Sequence, residues 1–277
     1  MPKLTLPEVI EKVNEIPALP NVVVRVMQLT EDPESTVKDI HNVLSQDQAM
    51  TARVLRLANS AFYGFARRIG SVTEAVILLG FKTIRSIVLA AAVSDIMNHS
   101  MKGYSLEKGD LWLHSQAVAM AARTISRRVK YDNPDLAFTA GLLHDIGKIA
   151  LDQSMQEVYQ EVIDTVASEN ITFSEAEDMV LGFNHSVVGG KIAAKWKLPD
   201  NLVEAIEFHH SPENAEIDSV LVAIVHISDA VCVSMGIGLG IDGLLYKIYP
   251  EALERLNLDD LKIEEIMAEL SDLFADL

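Results

Sequence analysis

Apolar residues recur at three- and four-residue spacing along almost the whole chain, and this period limits the fold more than any other feature. Leu6, Val9, Ile10, Val13 and Ile16 mark one face of a first helix. Pro17 and Pro20 end it, because each biases the preceding residue away from helical geometry. Val22–Leu29, Thr36–Leu44 and Asp47–Asn59 read as the next three helices, with Ser35 and Ser45 as candidate N-caps. SVTEAVILLG (71–80) opens with a Ser-x-x-Glu capping box and closes at Gly80, and FKTIRSIVLAAAVSDIM (81–97) makes another helix. Beyond the loop-like MKGYSLEKG (101–109), helices are expected at about 110–129, 134–152, 154–168, 173–181, 185–196, 200–210, 218–235 and 259–276. No alternating strand pattern with hairpin turns is present. The pattern predicts an all-α, multi-helix bundle, with an N-terminal helical part over 1–105 and a second helical part over 106–277.

Composition narrows the class. The single cysteine, Cys232, rules out an intrachain disulfide framework and points to a reducing, cytoplasmic setting. The N-terminal MPKLTLPEVIEKVNEI has no basic stretch followed by an apolar one, so no signal peptide is expected. Residues 219–241 are long enough to cross a bilayer, which takes about 20 residues. However, His226 and Asp229 sit at the centre of this stretch, and Gly236, Gly238 and Gly240 break its second half. A buried helix followed by a loop is the better reading, and no membrane partner is expected. The net charge is −17, and the first hundred residues carry as many basic as acidic side chains, so the excess acid lies beyond them. Such a balance disfavours nucleic-acid binding, which depends on neutralising phosphates.

The chemistry is concentrated in GLLHDIGKIAL (141–151), where His144, Asp145 and Lys148 interrupt an apolar run. Polar groups in such a setting cost free energy unless something satisfies them. Six of the eight histidines fall beyond residue 110, and five of them form a pattern. His114 sits in one apolar helix and His144-Asp145 in the next. His185 opens a third behind Asn184, His209-His210 end a fourth before Pro212, and Asp229 lies within a fifth. Imidazoles and carboxylates suit Fe, Mn, Ni or Zn, and helix bundles build metal sites from inward-facing side chains on different helices. Adjacent residues on a helix diverge by about 100°, so a His-Asp pair can serve two directions in one cavity, two metals for instance. The simpler alternative is that these are core histidines, each paired to a neighbouring protein group. His41 and His99 carry no assignment, and His226, one turn before Asp229, reads as a supporting residue that could contact it.

The order His114, His144-Asp145, Asp229 resembles the H…HD…D pattern of the HD phosphohydrolase superfamily. HDIGK (144–148), NHSVVGG (184–190), HH (209–210) and SDA (228–230) are similar to blocks of the HD-GYP cyclic-dinucleotide phosphodiesterases. IPALPNVVVRVMQL (16–29), SQDQAMTARVLRLANSAFYG (45–64) and SVTEAVILLGFKTIRSIVL (71–89) resemble the HDOD domain, the HD-related output domain of bacterial signalling proteins. The resemblance implies an all-α fold with an N-terminal helical part and an HD-like part. It also implies a dinuclear centre on His114, His144, Asp145, His185, His209, His210 and Asp229. In that centre Asp145 would bridge the ions, and Lys148 would be a general acid or phosphate contact. The chain departs from the HD-GYP pattern after His209-His210, where SPENAE (211–216) replaces the Gly-Tyr-Pro motif.

Two functions compete at this point, and between them lies a third reading, a metal-containing sensor that reports oxidation or a ligand without turnover. One is a signalling output that acts through separate signalling proteins, with the acidic helix near 259–276 as one contact surface. The simpler and preferred reading of that helix is that it packs Leu261, Ile263, Ile266, Met267, Leu270 and Phe274 on the core and solvates its carboxylates. The other is a metal-dependent phosphohydrolase or phosphodiesterase, with a nucleotide, cyclic dinucleotide or phosphate as ligand.

Overall fold

The structure, a computed structural model, describes residues 16–60, 68–238, 240 and 246–275, with Glu8, Glu11 and Val13. The first predicted helix lies mostly outside these residues. Thirteen α-helices are present among them: α1 (Asn21–Glu31), α2 (Val37–Leu44), α3 (Gln48–Ala58), α4 (Val72–Met97), α5 (Asp110–Arg128), α6 (Pro134–Leu143), α7 (Gly147–Glu169), α8 (Phe173–Leu181), α9 (His185–Lys195), α10 (Asp200–Glu207), α11 (Ser219–Ser234), α12 (Pro250–Leu256) and α13 (Asp260–Phe274). Two single 3-10 turns, Lys102–Tyr104 and Pro212–Asn214, complete the set. No strand occurs among the described residues, only an isolated bridge between Met101 and Leu106. The chain divides into two compact units, Ala18–Asp95 with Asp272–Leu277, and Met1–Pro17 with Ile96–Ser271.

In the unit built on Ala18–Asp95, buried residues follow the sequence period: Val23 and Val26 on α1, Ile40 and Leu44 on α2, Met50, Val54 and Ala58 on α3. The caps differ from the expectation by a residue or two. Thr36, not Ser35, caps α2 in a reciprocal box with Asp39, and Asp47, not Ser45, caps α3 by accepting from the Met50 amide. A carboxylate or hydroxyl wins the cap where it can reach the third amide of the helix. Gly80 has φ 79° and ψ 168°, so α4 is two helices joined at a break, as the glycine predicts. By length and composition α4 could cross a membrane, yet 56% of its most apolar window is buried inside the protein. α11, the other apolar helix, stops at Ser234 after 16 residues and is buried from Leu221 to Cys232.

In the second unit α5 packs on α6 and α11, and α9 packs on α7 and α10. α13 buries Ile266 and Leu270, but Leu261 is 66% exposed, so the apolar face expected over Leu261–Phe274 is only partly covered. Glu204 on α10 is buried and accepts the amides of Glu216, Ile217 and Asp218, each at 2.6 Å, which ties the turn before α11 to the helix. Replacing Glu204 with alanine strands three donors. Urea denaturation is expected to show a loss of about 2–4 kcal/mol, and a loss below about 1 kcal/mol would contradict this role.

The main departure from the sequence reading lies between α6 and α7. A helix over 134–152 and another over 154–168 were expected. Instead the chain breaks at 144–146 and then runs unbroken from Gly147 to Glu169. Gly147, the first residue after the break, meets the backbone of α9. A Cβ there would lie 1.9 Å from the His185 carbonyl oxygen and 2.6 Å from the Gly189 nitrogen. Backbone of α9 therefore touches backbone at the start of α7, directly after the turn at His144–Ile146.

Candidate metal centre

The break places His144 and Asp145 in a turn rather than on one continuous helix. Both side chains are buried, and Asp145 divides its oxygens between two groups. Oδ2 lies 2.5 Å from Lys148 Nζ, 3.4 Å from His144 Nε2 and 3.9 Å from His114 Nε2. Oδ1 lies 3.2 Å from His185 Nε2 and 3.9 Å from His209 Nε2. The two-direction role expected of the His-Asp pair is thus performed by the aspartate's own two oxygens.

Each remaining predicted residue is fixed by a local feature. Asp229 comes from the buried middle of α11, and its Oδ1 lies 3.0 Å from His114 Nε2 and 3.6 Å from His144 Nε2. Asn184 caps α9 by accepting the Ser186 and Val187 amides, which puts His185 at the first helical position. His209 and His210 lie just past α10, which ends at Glu207 rather than 210. His210 is half-buried, with Nε2 2.9 Å from His185 Nε2. All seven residues converge. Ligand-capable atoms of His114, His144 and Asp229 lie within 4.8 Å of one another; so do those of His185, His209 and His210, and those of His144, Asp145 and His209.

The imidazoles are oriented from behind. His114 Nδ1–H donates to the Ile237 carbonyl, His144 to Gly141, His209 to Ile206, and His185 to the Glu177 carboxylate. These acceptors fix the tautomer in each ring and aim Nε2 into the shared cavity. That is how proteins present histidines to a metal. Among the described residues, the buried Nε2 atom of His209 has no hydrogen-bond partner, and that of His144 faces only the Asp145 and Asp229 carboxylates, at 3.4 and 3.6 Å. Unsatisfied buried nitrogens are rare and costly, and a cation among these Nε2 atoms and the two carboxylates would satisfy them. The donor set therefore fits a divalent transition metal.

Burial alone would push the His144 and His185 rings down. The carboxylates of Asp145 and Asp229 outweigh it at His144, raising it to about 10, and Glu177 and Asp145 raise His185 to about 9. Burial and the neighbouring His144 and His185 hold His209 down, at about 3. Burial opposes ionisation of Asp145 and Asp229, but adjacent cations hold both carboxyls well below the usual range.

Lys148 is buried, bonded to Asp145, with its ammonium 5.7 Å from the Tyr104 ring centre. It lines a cavity of about 30 Å³ with His114, Asp145, His185, His210 and Asp229. That volume is room for a water-sized group. His226 does not reach Asp229 as expected. Its Nδ1–H donates to the His209 carbonyl, and its Nε2 accepts the Tyr249 amide. It is a neutral supporting residue that holds the His209-His210 turn.

Three residues at the site escaped sequence reading. Glu177 sits within the expected helix 173–181, in none of the motifs, and Tyr104 sits in the loop-like 101–109. Tyr246, whose ring lies 5.7 Å from His210, belongs to the stretch after the glycines. None carries a periodic signal, since only the fold brings them to the histidines.

An all-helical unit with a convergent histidine–aspartate centre is the class of protein that fold and site define. The HDOD domain profile matches residues 16–212, and the chain belongs to the HDOD domain family. A solved HDOD domain protein of unknown function from Geobacter sulfurreducens is 31% identical, with 97% of this chain and 94% of that one covered and a TM-score of 0.78. A candidate phosphohydrolase from Shewanella amazonensis SB2B is 26% identical over 97% and 94% of the two chains, with a TM-score of 0.74. Among curated proteins, Ribonuclease Y of Mycoplasma genitalium is 24% identical over 234 residues, and an uncharacterized Treponema pallidum protein is 24% identical over 210 residues. The matches cover 82% and 74% of this chain but only 40% and 39% of those relatives' lengths.

Proposed function

We propose that this protein is a bacterial HDOD signalling output that holds two divalent transition-metal ions, Fe, Mn, Ni or Zn, in one buried centre. The observation that carries the reading is the division of ligands into two groups that share Asp145, with four imidazoles locked so that Nε2 faces inward. His114, His144 and Asp229 would hold one ion, and His185, His209 and His210 the other. The partners that receive the signal are separate signalling proteins. Protein purified without chelators is expected to carry about two equivalents of metal by plasma mass spectrometry. Metal-free protein that stays empty on reconstitution would falsify the reading.

The protons on His144 and His185 give a second expectation. With both groups raised to about 10 and about 9, the metal-free site carries these protons at neutral pH. An entering ion must displace them, so affinity rises with pH toward that range and falls on acidification. Calorimetric titrations in buffers of different ionisation enthalpy should show release of about two protons at pH 7. Uptake, or no transfer, would contradict it.

Lys148 favours a second reading, metal-dependent phosphohydrolysis. Bound ions would supply Lewis acidity toward a phosphoryl oxygen. Lys148, held at the cavity wall by Asp145, would place positive charge beside the same group. The similarity to the Shewanella protein supports this reading. Nucleotides, cyclic dinucleotides and phosphomonoesters assayed with Mn²⁺ or Fe²⁺ test it, and no turnover of any of them would remove it.

A further inference from the structure

We infer that Glu177 and Tyr104 are a positioning pair that makes the two halves of the centre inequivalent and secures the ion on the His185 side. The inference rests on the two-ion reading above. Glu177 is fully buried. Its Oε2 accepts both the His185 Nδ1–H, at 2.6 Å, and the His185 backbone amide, at 3.1 Å. Its Oε1 accepts the Tyr104 hydroxyl at 2.7 Å. Tyr104 is itself fully buried, its ring edge-on to His185 at 6.3 Å and tilted against Phe173 at 5.9 Å. Its turn is anchored by the Gly103 amide, which donates to Asp152 on α7 at 2.8 Å.

The contrast with the other three oriented rings supplies the argument. His114, His144 and His209 each rest on a neutral backbone carbonyl. A carbonyl suffices to fix a tautomer and a ring direction. Burying a carboxylate is costly before its partners offset it, so orientation alone does not account for one behind His185. A carboxylate adds charge. It makes the imidazole a more basic and more anionic ligand. Among the described residues, the half formed by His185, His209 and His210 has no carboxylate of its own, whereas the other half has Asp229. Glu177 supplies through His185 the negative charge that the first half receives directly, and Tyr104 holds Glu177 in line.

Co²⁺ titration of metal-free protein tests this, read by visible absorption and by metal analysis after dialysis. Wild type is expected to bind about two equivalents. Glu177→Gln keeps the volume and an acceptor oxygen for His185 but removes the charge. It is expected to keep one equivalent at wild-type affinity and to bind the second 10- to 100-fold more weakly, with unchanged circular dichroism. Glu177→Asp, which keeps the charge, should bind the second ion more tightly than the glutamine variant, and Tyr104→Phe should weaken that ion alone. Identical titrations of wild type and Glu177→Gln would overturn the inference and leave the two-ion reading intact. Equal weakening of both equivalents, or aspartate and glutamine variants that cannot be told apart, would also overturn it. Wild type that binds no Co²⁺ would overturn the two-ion reading, and this inference with it.

Discussion

Asp145→Ala is expected to empty both halves of the centre at once. Among the described residues, Asp145 is the one whose two oxygens face both ligand groups, His114 and His144 on one side, His185 and His209 on the other. A single peripheral ligand such as His210 serves one half. The shared carboxylate also carries the negative charge between the halves, without which two dications would repel across a few ångströms of low dielectric. Metal content should fall from about two equivalents to less than about 0.2, and any phosphohydrolase activity should fall with it. Alanine also takes a buried partner from Lys148, and breaking a buried ion pair costs about 3–5 kcal/mol. Asp145→Asn separates the two effects: it keeps the shape, should stay folded, and should still lose the metal. An asparagine variant that retains two equivalents would remove Asp145 from the bridging position.

Gly147→Ala is expected to be the most damaging glycine-to-alanine change among the described residues. The added Cβ would meet the His185 carbonyl oxygen at 1.9 Å and the Gly189 nitrogen at 2.6 Å. Both are backbone atoms, so no side-chain rotation relieves the clash. Either α9 moves away from α7 or the turn at 144–146 is rebuilt. Overpacking costs about 1–3 kcal/mol where side chains can adjust, so a backbone clash should sit at or above the upper end. At roughly 2–4 °C per kcal/mol for a chain of this size, the melting temperature should drop by about 10 °C. Because His185 opens α9 and His144-Asp145 precede α7, the same shift separates the two ligand groups, and metal affinity should fall as well. A variant that melts within about 2 °C of wild type would show that the two helices do not need this contact.

The acid dependence of metal binding and the Glu204 anchor are weaker effects, but they separate two kinds of buried charge. Glu204 organises backbone and contributes stability without any ligand. The carboxylates of the centre are satisfied by histidines that are themselves poised for a cation.

Much of this protein was legible in its sequence. The 3.6-residue period, together with the proline and glycine punctuation, determined an all-helical chain, and Gly80 marked the break in α4 because only glycine takes a positive φ freely. The seven polar residues on apolar stretches determined which side chains to watch, because burying them without partners is too costly to be incidental. Tertiary structure decided the rest. The period of α6 runs through 144–146 without a signal, yet the helix breaks there, and directly after the break a second backbone approaches Gly147 from 38 residues away. Glu177 belonged to no motif and Tyr104 looked like loop, since nothing within a few residues of either one points to His185. His226 looked able to reach Asp229 one turn away, but a carbonyl and an amide from other segments claimed its ring first. Local pattern records which face of a helix is buried. Which groups meet there depends on long-range packing, and this chain uses that packing to bring seven residues from five places in the sequence into one centre.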